Sequence, residues 1–329
     1  MDIAHLLQRL RADNTAGATT LVELALDILE AFATPASASQ PHDFSTALQH
    51  LVSAVLAAQP SMAVMLNLAQ QVLQACPEEL PPATARRQLQ QTLAAFRRDL
   101  RRSTEALCQQ ALAVLPSQST VLTYSNSATI VAALRYAHAR GRVRRVLLSE
   151  SRPAYDGRPQ ALALLEHGIA VEYSIDMALF ERLPEADMVL VGADAVFPDR
   201  LINKLGTHAL AQLAQLRGVP LYSLCTASKF LPATATALWR IVDHPGEEVW
   251  PDTPQNLSIS NRYFDATPLT LLSGIVSEQG LSTPEALRCL LEKRELAPLL
   301  LRLASSRAPG DHQGELTPDG TRLEGREQR

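Results

Sequence analysis

The chain has 329 residues, 47% of them hydrophobic, and its 30 basic residues face 34 acidic ones for a formal charge of −4. That length exceeds one small core, and the hydrophobic fraction excludes wholesale disorder. The near-neutral balance gives no global electrostatic reason to bind nucleic acid or an anionic membrane. Glycine is scarce, with 14 residues or about 4% against a usual ~7%, which argues against collagen-like repeats and broad glycine-rich phosphate loops.

The amino-terminal stretch MDIAHLLQRLRADN has no basic head followed by an apolar run and a cleavage site, so it does not read as a secretory signal. Apolar runs elsewhere are interrupted well short of the ~18 residues of a membrane helix. Cys76, Cys108, Cys225 and Cys289 form no CxxC pair, and the dispersed histidines form no HxxxH pair. The expectation is a cytoplasmic protein with reduced thiols and no structural metal.

Residues 3–112 read as helices throughout, opening on Leu6, Leu7 and Leu10 and continuing with Leu21, Leu24, Leu26, Ile28 and Leu29. Breaks fall at Thr34-Pro35-Ala36-Ser37, at Gln59-Pro60-Ser61 and from Cys76-Pro77 to Pro81-Pro82. Arg86, Arg87, Arg97, Arg98, Arg101 and Arg102 then follow on one helix. With acidic residues nearby and no interleaved aromatics, they read as a solvated face rather than a binding patch.

After Pro116 the period changes. Short β-branched runs at 120–124, 143–148, 169–173, 188–191 and 219–223 alternate with helical stretches near 128–140, 158–167, 177–183 and 203–217. This alternation predicts a parallel sheet with helices on both faces. A further strand is expected at Trp239–Val242 and a last helix from about Thr283 to Leu303. The fold class is therefore α/β: a helical domain over 1–115, a doubly wound parallel-sheet domain over 116–304, and a disordered tail over 305–329. The helical half is expected to pack over the mouth of the sheet.

Ligands of open parallel sheets bind beyond the carboxyl ends of the strands. That rule selects Ser125, Asn126 and Ser127 after the first strand, Glu150 and Arg152 after the second, and Asp194 after the fourth. Asn203 and Lys204 follow shortly, and Lys229 lies beyond the fifth strand. Each also has a plainer reading. Ser125 to Ser127 suit a helix cap, Glu150 and Arg152 a surface ion pair, and Asn203-Lys204 an exposed helix start. His208 reads as packing and Cys225 as a small buried apolar residue. Asp194 is the sharpest candidate, because a carboxylate after an apolar strand is expensive to bury without purpose. GxGxxG, GxxxxGK[ST] and GxSxG are all absent, which disfavours dinucleotide binding, Walker-type nucleotide binding and a serine hydrolase.

Val191-Gly-Ala-Asp-Ala195 with Ile202-Asn-Lys-Leu-Gly-Thr207, preceded by Glu150-Ser-Arg-Pro153 and Asp156-Gly157, resembles one superfamily over residues ~10–280. It contains methylthioribose-1-phosphate isomerase, ribose-1,5-bisphosphate isomerase and the alpha, beta and delta subunits of eukaryotic initiation factor 2B. The resemblance implies an amino-terminal helical domain, a Rossmann-like carboxyl domain and homo-oligomers, dimeric or higher. It also implies a phosphorylated small-molecule ligand, and neither metal nor organic cofactor. The family's catalytic aspartate falls on Asp194, its sugar-contacting pair on Asn203 and Lys204, and its adjoining loop on Glu150, Arg152 and Gly157. Lys229-Phe230 matches a later motif.

Two departures bear on catalysis. Where the isomerases place cysteine before Asn-Ser, this chain has Ser125, and a hydroxyl does not ionise without a strong base. Ala16-Gly17-Ala18 stands where they read Arg-Gly-Ala, and Gln59-Pro60-Ser61 where they read Arg-Pro before an asparagine like Asn67. Each lost charged hydrogen bond costs roughly 1.5–3 kcal/mol, so two missing arginines weaken phosphate binding on the order of 10²–10⁴-fold. The balance favours an initiation-factor-2B-like protein binding a phosphorylated sugar or nucleotide in a degenerate isomerase pocket. The alternative is an aldose-1-phosphate to ketose-phosphate isomerase using Asp194 with Ser125.

Overall fold

A computed structural model describes residues 2–13, 17–34 and 44–305. The break at 35–37, the motif position Ala16 and the tail beyond Ser305 lie outside the described residues.

Helices α1 (Ile3–Ala12), α2 (Ala18–Phe32), α3 (Phe44–Ala58), α4 (Ala63–Ala75) and α5 (Pro82–Gln110) come first. Asp2 caps α1, accepting a hydrogen bond from Ala4 N at 3.0 Å. Pro60 separates α3 from α4, and Pro82 opens α5 at a position where its missing N–H leaves no orphan. The leucines that set the expected helical period, Leu10, Leu21, Leu26 and Leu29 among them, form one buried core with α3 and α4. The basic helix only partly matches its expected role. Arg87, Arg98, Arg101 and Arg102 are exposed. Arg97 instead reaches across to α2 and bonds Glu23 at 2.7 Å, Asp27 at 3.0 Å and Glu30 at 2.5 Å.

A seven-stranded sheet follows, with β1 (Ser119–Thr123), β2 (Val143–Ser149), β3 (Ala170–Ser174), β4 (Met188–Val191), β7 (Leu221–Leu224), β9 (Gly274–Ser277) and β10 (Gly280–Ser282). In space they run β10-β9-β7-β4-β1-β2-β3, all parallel except β10. From β3 to β9 this is the Rossmann-like doubly wound order, which reverses between β1 and β4. Strand residues alternate between two cores. Val121, Val146, Leu148 and Leu190 join α5, α6 (Ala128–His138) and α7 (Gly157–Leu165) on one face. Leu122, Leu147, Val189 and Val191 join α8 (Asp176–Glu181), α9 (Thr207–Arg217) and α10 (Pro284–Glu292) on the other. A period of two with both faces apolar is what a sheet covered on both sides requires.

A second, antiparallel sheet joins the two halves. It comprises β5 (Ala195–Val196), β6 (Arg200–Lys204) and β8 (Phe264–Pro268). Its side chains also alternate: Ala195, Phe197 and Ile202 enter the helical core, while Val196 and Leu201 enter the core under the main sheet. Asn203-Lys204 is thus the end of a buried strand and not a helix start, and α9 begins only at Thr207. Leu10 and its neighbours therefore share a core with residues of the carboxyl half, including Trp239 and Leu300.

Two further expectations are corrected. Trp239–Val242 is not a strand; its backbone bonds to the α3–α4 turn, with Ser61 Oγ donating to Arg240 O at 2.7 Å. Trp239 itself packs edge-on against Phe197 at 5.5 Å. The expected last helix is two, α10 and α11 (Pro298–Ser305), because Pro298 lacks an N–H and disfavours a helical residue before it. Among the described residues no helix is long and apolar enough to cross a membrane.

Candidate functional site

The crevice outside β1 and β4 collects most of the residues selected from sequence. Gly192 is its hub: a Cβ there would stand 2.9 Å from Ser127 Oγ and 3.8 Å from Asn203 Oδ1. Only glycine lets the loop after β4 approach the start of α6 this closely. Ser127 caps α6, with its Oγ accepting from Ile130 N at 3.4 Å, while its own N–H donates to Gln160 Oε1 at 2.7 Å. Asn126 beside it is exposed. Ser125 holds a left-handed backbone at φ 70°, fixed by its N–H donating to Ser151 Oγ at 2.9 Å. Among the described residues its hydroxyl has no hydrogen-bond partner, which leaves it available to a ligand.

Asp194 enters the site as the residue before β5. Its N–H donates to Ile202 O at 2.8 Å, and its carbonyl accepts from Ala63 N at the start of α4 at 3.2 Å. The β5–β6 register therefore sets Asp194 opposite Asn203, which explains how residues nine apart meet. Burial raises the Asp194 carboxyl above its ordinary 3.8, opposed by the charges of Lys229 and Lys204 and reinforced by Asp156. Lys229 is pushed the other way, downward, again mainly by burial. Neither side chain makes a direct hydrogen bond or ion pair among the described residues. Two partly buried groups of opposite charge, without a direct bond in a crevice, are characteristic of functional positions.

Lys204 behaves differently. Its side chain is 3% exposed and its Nζ sits 2.6 Å from Asp156 Oδ2, with the Tyr263 ring centroid 4.8 Å away. Asp156 was quoted in the sequence motif without a role, and its pairing with a lysine 48 residues away left no local signal. Asn203 is buried and donates from Nδ2 to Thr207 Oγ1 at 3.0 Å.

The loop from Glu150 to Gly157 is held by its own network. Asp176 accepts from Ser149 Oγ at 2.7 Å, Ser151 N at 2.8 Å and Arg152 N at 2.9 Å. Ser151 and Tyr155 both hold positive φ. Such strained conformations at non-glycine residues cluster where surrounding structure over-determines them, often around ligand sites. Glu150 and Arg152 form no ion pair with each other. The Arg152 guanidinium donates to Tyr155 Oη at 2.5 Å and Val249 O at 3.1 Å, which ties it to its own loop and to the 246–250 turn. Gly157 is needed for packing, because a Cβ would stand 1.7 Å from Ser149 O.

The helical side contributes backbone anchors. Asn67 Nδ2 donates to Ser228 O at 2.7 Å and Phe230 O at 3.2 Å, so α4 grips the turn that carries Lys229. Gln59 Nε2 donates to Leu10 O at 2.6 Å and Asp13 O at 3.1 Å, closing the end of α1. Gly17 precedes α2 and is exposed, while Ala18 lines a cavity of about 800 Å³ that Lys229 also lines. Cys225 offers no substitute nucleophile: burial pushes its thiol up to about 12, beyond a ready thiolate. Among the described residues no cluster of three or more His, Cys, Asp or Glu side chains suits a metal ion.

Comparison with known proteins decides the ancestry. The initiation factor 2 subunit family matches residues 14–284. The chain belongs to that family. Ribose 1,5-bisphosphate isomerase of Methanocaldococcus jannaschii is 27% identical over 281 residues, covering 84% of this chain and 90% of that protein. A putative translation initiation factor eIF-2B subunit 2-like protein of Pyrococcus horikoshii is 29% identical, covering 86% and 96%. Methylthioribose-1-phosphate isomerase of Gemmatimonas aurantiaca reaches 34% identity, over 55% of this chain and 56% of that protein. Among solved structures, translation initiation factor eIF-2B of Pyrococcus horikoshii superposes with a TM-score of 0.74 at 25% identity, over 86% of this chain and 97% of that one. The tetrameric eIF2B-beta2-delta2 complex of C. thermophilum, at 18% identity and a TM-score of 0.67, shares the fold over 88% of this chain and 93% of that one. Initiation-factor-2B-like and isomerase-like relatives thus stand side by side for this family member.

Proposed function

We propose that this protein binds a phosphorylated sugar or nucleotide in the crevice at the β1 and β4 ends, in a pocket of isomerase descent, and works as a homo-oligomer. The observation that carries this reading is the Asp194–Lys229 arrangement: an aspartate and a lysine of opposite charge, both partly buried and, among the described residues, neither directly bonded. A polar ligand entering the crevice would satisfy both. Ser125, Asn126 and Ser127 would offer hydroxyl, amide and helix-start contacts, while Asn203 and Lys204 would floor the site. Asn67, Gly157 and Glu150 to Arg152 would hold its walls, with Gly17 and Ala18 at its helical edge.

The second reading is turnover of an aldose 1-phosphate to a ketose phosphate. Two observations favour it: the carboxyl of Asp194, raised by burial as suits a group that takes and returns a proton, and the Ser125 hydroxyl, without a partner among the described residues. Asp194 would move a proton between adjacent sugar carbons, while Ser125 would hydrogen-bond the reacting oxygen. The lack of an ionisable cysteine at position 125 and the engagement of Gln59 with α1 favour binding over turnover.

The test is ketose formation from ribose 1,5-bisphosphate, methylthioribose 1-phosphate and other aldose 1-phosphates, by wild type and Asp194→Asn. Turnover that disappears in Asp194→Asn would establish the enzyme. Thermal stabilisation by members of that panel or by nucleoside monophosphates, without ketose formation, supports the binding protein. Light scattering on the same samples reads the oligomer.

A further inference from the structure

Two lysines and two aspartates meet in the crevice. Lys204 and Lys229 face Asp156 and Asp194, and the Lys204–Asp156 pair is closed at 2.6 Å. A phosphate in the crevice would meet Lys229, which makes no ion pair among the described residues. The adjoining cavity, about 800 Å³ and walled by α2, α5 and α6, is different in kind. Its volume is that of a small-molecule site. Val22, Val64 and Leu100 give it an apolar lining, and Lys229 is common to both compartments.

Arg101, Arg135 and Arg140 line the same cavity, against Glu23 and Glu105. Glu23 is already bonded by Arg97 at 2.7 Å, so cations outnumber free carboxylates. Arg140 stacks on the Tyr136 ring at 3.5 Å and donates to Tyr136 O at 3.0 Å. Arg101 and Arg135 make no ion pair or hydrogen bond among the described residues. They lie on different helices, α5 and α6, and both are exposed. An apolar enclosure rimmed by two uncommitted guanidiniums fits an amphipathic anion, because guanidinium forks match phosphate oxygens in pairs.

We infer that this cavity binds a phosphate monoester carrying an apolar or aromatic body. The body lies against Val22, Val64 and Leu100, and Arg101 and Arg135 hold the phosphate. The inference rests on the reading of the protein as a binder of phosphorylated small molecules. It places the anion-holding cations on α5 and α6.

Titration of the full-length protein with 1-naphthyl phosphate, followed by ligand fluorescence, tests it. 1-Naphthol, inorganic phosphate and ribose 5-phosphate serve as comparators. The expected result is binding at least ~10-fold tighter than either 1-naphthol or inorganic phosphate, since body and anion are held together. Arg101→Gln and Arg135→Gln should each weaken it about 10-fold or more, the scale of one charged hydrogen bond. Both positions are exposed, so both variants should fold. Ala132→Phe, which fills the cavity, should abolish binding while circular dichroism and melting confirm an intact fold. No binding of 1-naphthyl phosphate, or equal binding by wild type and both arginine variants, overturns the cavity assignment. Retained ribose 5-phosphate binding in that case would leave the crevice reading standing. Arginine-dependent naphthyl phosphate binding supports the cavity even if every sugar phosphate and nucleotide fails, an outcome that would remove the crevice reading alone.

Discussion

The sheet-end wall and the helical wall of the crevice treat polar groups in opposite ways. On the sheet side, Asp194, Lys229 and the Ser125 hydroxyl are partly buried and have no direct partner among the described residues, as groups awaiting a ligand do. On the helical side, Gln59 and Asn67 spend their amides on backbone carbonyls, of α1 and of the Lys229 turn respectively. Both side chains act there as structural ties. The sheet side leaves polar groups open to the crevice, whereas the helical side spends its own on holding the fold.

Substitutions can break that contrast, and the largest effect should come from the sheet side. Gly157→Ala would force a Cβ to within 1.7 Å of Ser149 O, a backbone atom that cannot step aside. A loss of about 4 kcal/mol or more, or failure to fold, is expected in urea titration, at the top of the usual range for one substitution. Next, Asp156→Asn strands a buried ammonium. Its cost should be about 3 kcal/mol, the lower end for breaking a buried pair, because the Asp156 side chain keeps 23% of its surface. The same variant frees Lys204, so calorimetry should show tighter binding of inorganic phosphate than wild type.

Acidic groups near the site also set a pH dependence. Asp265 accepts from Gly206 N at 2.7 Å and His208 N at 3.1 Å, yet burial still raises it from 3.8 to about 6. The native state then keeps a proton that the unfolded chain has released, so stability falls as pH rises from about 4 to about 6. Asp265→Asn should flatten that slope and gain about 1–2 kcal/mol at pH 7, since each pKa unit is worth about 1.4 kcal/mol before discounting for partial exposure. Unfolding curves across pH 4 to 7 would show no difference between the two proteins if the carboxyl titrated normally.

Smaller effects should mark the helical side. Gln59→Ala removes a donor from Leu10 O and Asp13 O and should cost about 1.5 kcal/mol in denaturant unfolding, without changing ligand affinity directly. A large loss of phosphate affinity with no stability change would show that Gln59 still serves the ligand. Arg97→Ala, which releases three partly exposed carboxylates, should cost about 1 kcal/mol and less in high salt.

What could be read in advance follows the same division. The main sheet was legible because its strands alternate between two apolar cores, with breaks at proline and glycine. The β5–β6–β8 sheet was not, since β5 has only two residues and β6 ends in Asn203-Lys204, polar groups that locally imitate a helix start. Asp194 stood out because a carboxylate after an apolar strand has no cheap structural reason. Its neighbours Asp156 and Lys229 arrive from loops whose meeting is tertiary, and no periodicity records it. Gly157 and Asn67 were placed by motif, but their work is backbone packing and tethering, a distinction visible only once Ser149 O and Ser228 O are in position. Trp239 carries strand-like neighbours, yet its segment satisfies the α3–α4 turn instead of a sheet edge.

The most direct measurement is calorimetric titration of wild type, Lys229→Met and Asp194→Asn with a panel of phosphorylated sugars and nucleotides. At least one ligand should bind wild type, and Lys229→Met and Asp194→Asn should each weaken that ligand by 10-fold or more while melting as folded proteins. A panel that leaves wild type untouched, or binding indifferent to both substitutions, would contradict a ligand site at the β1 and β4 ends.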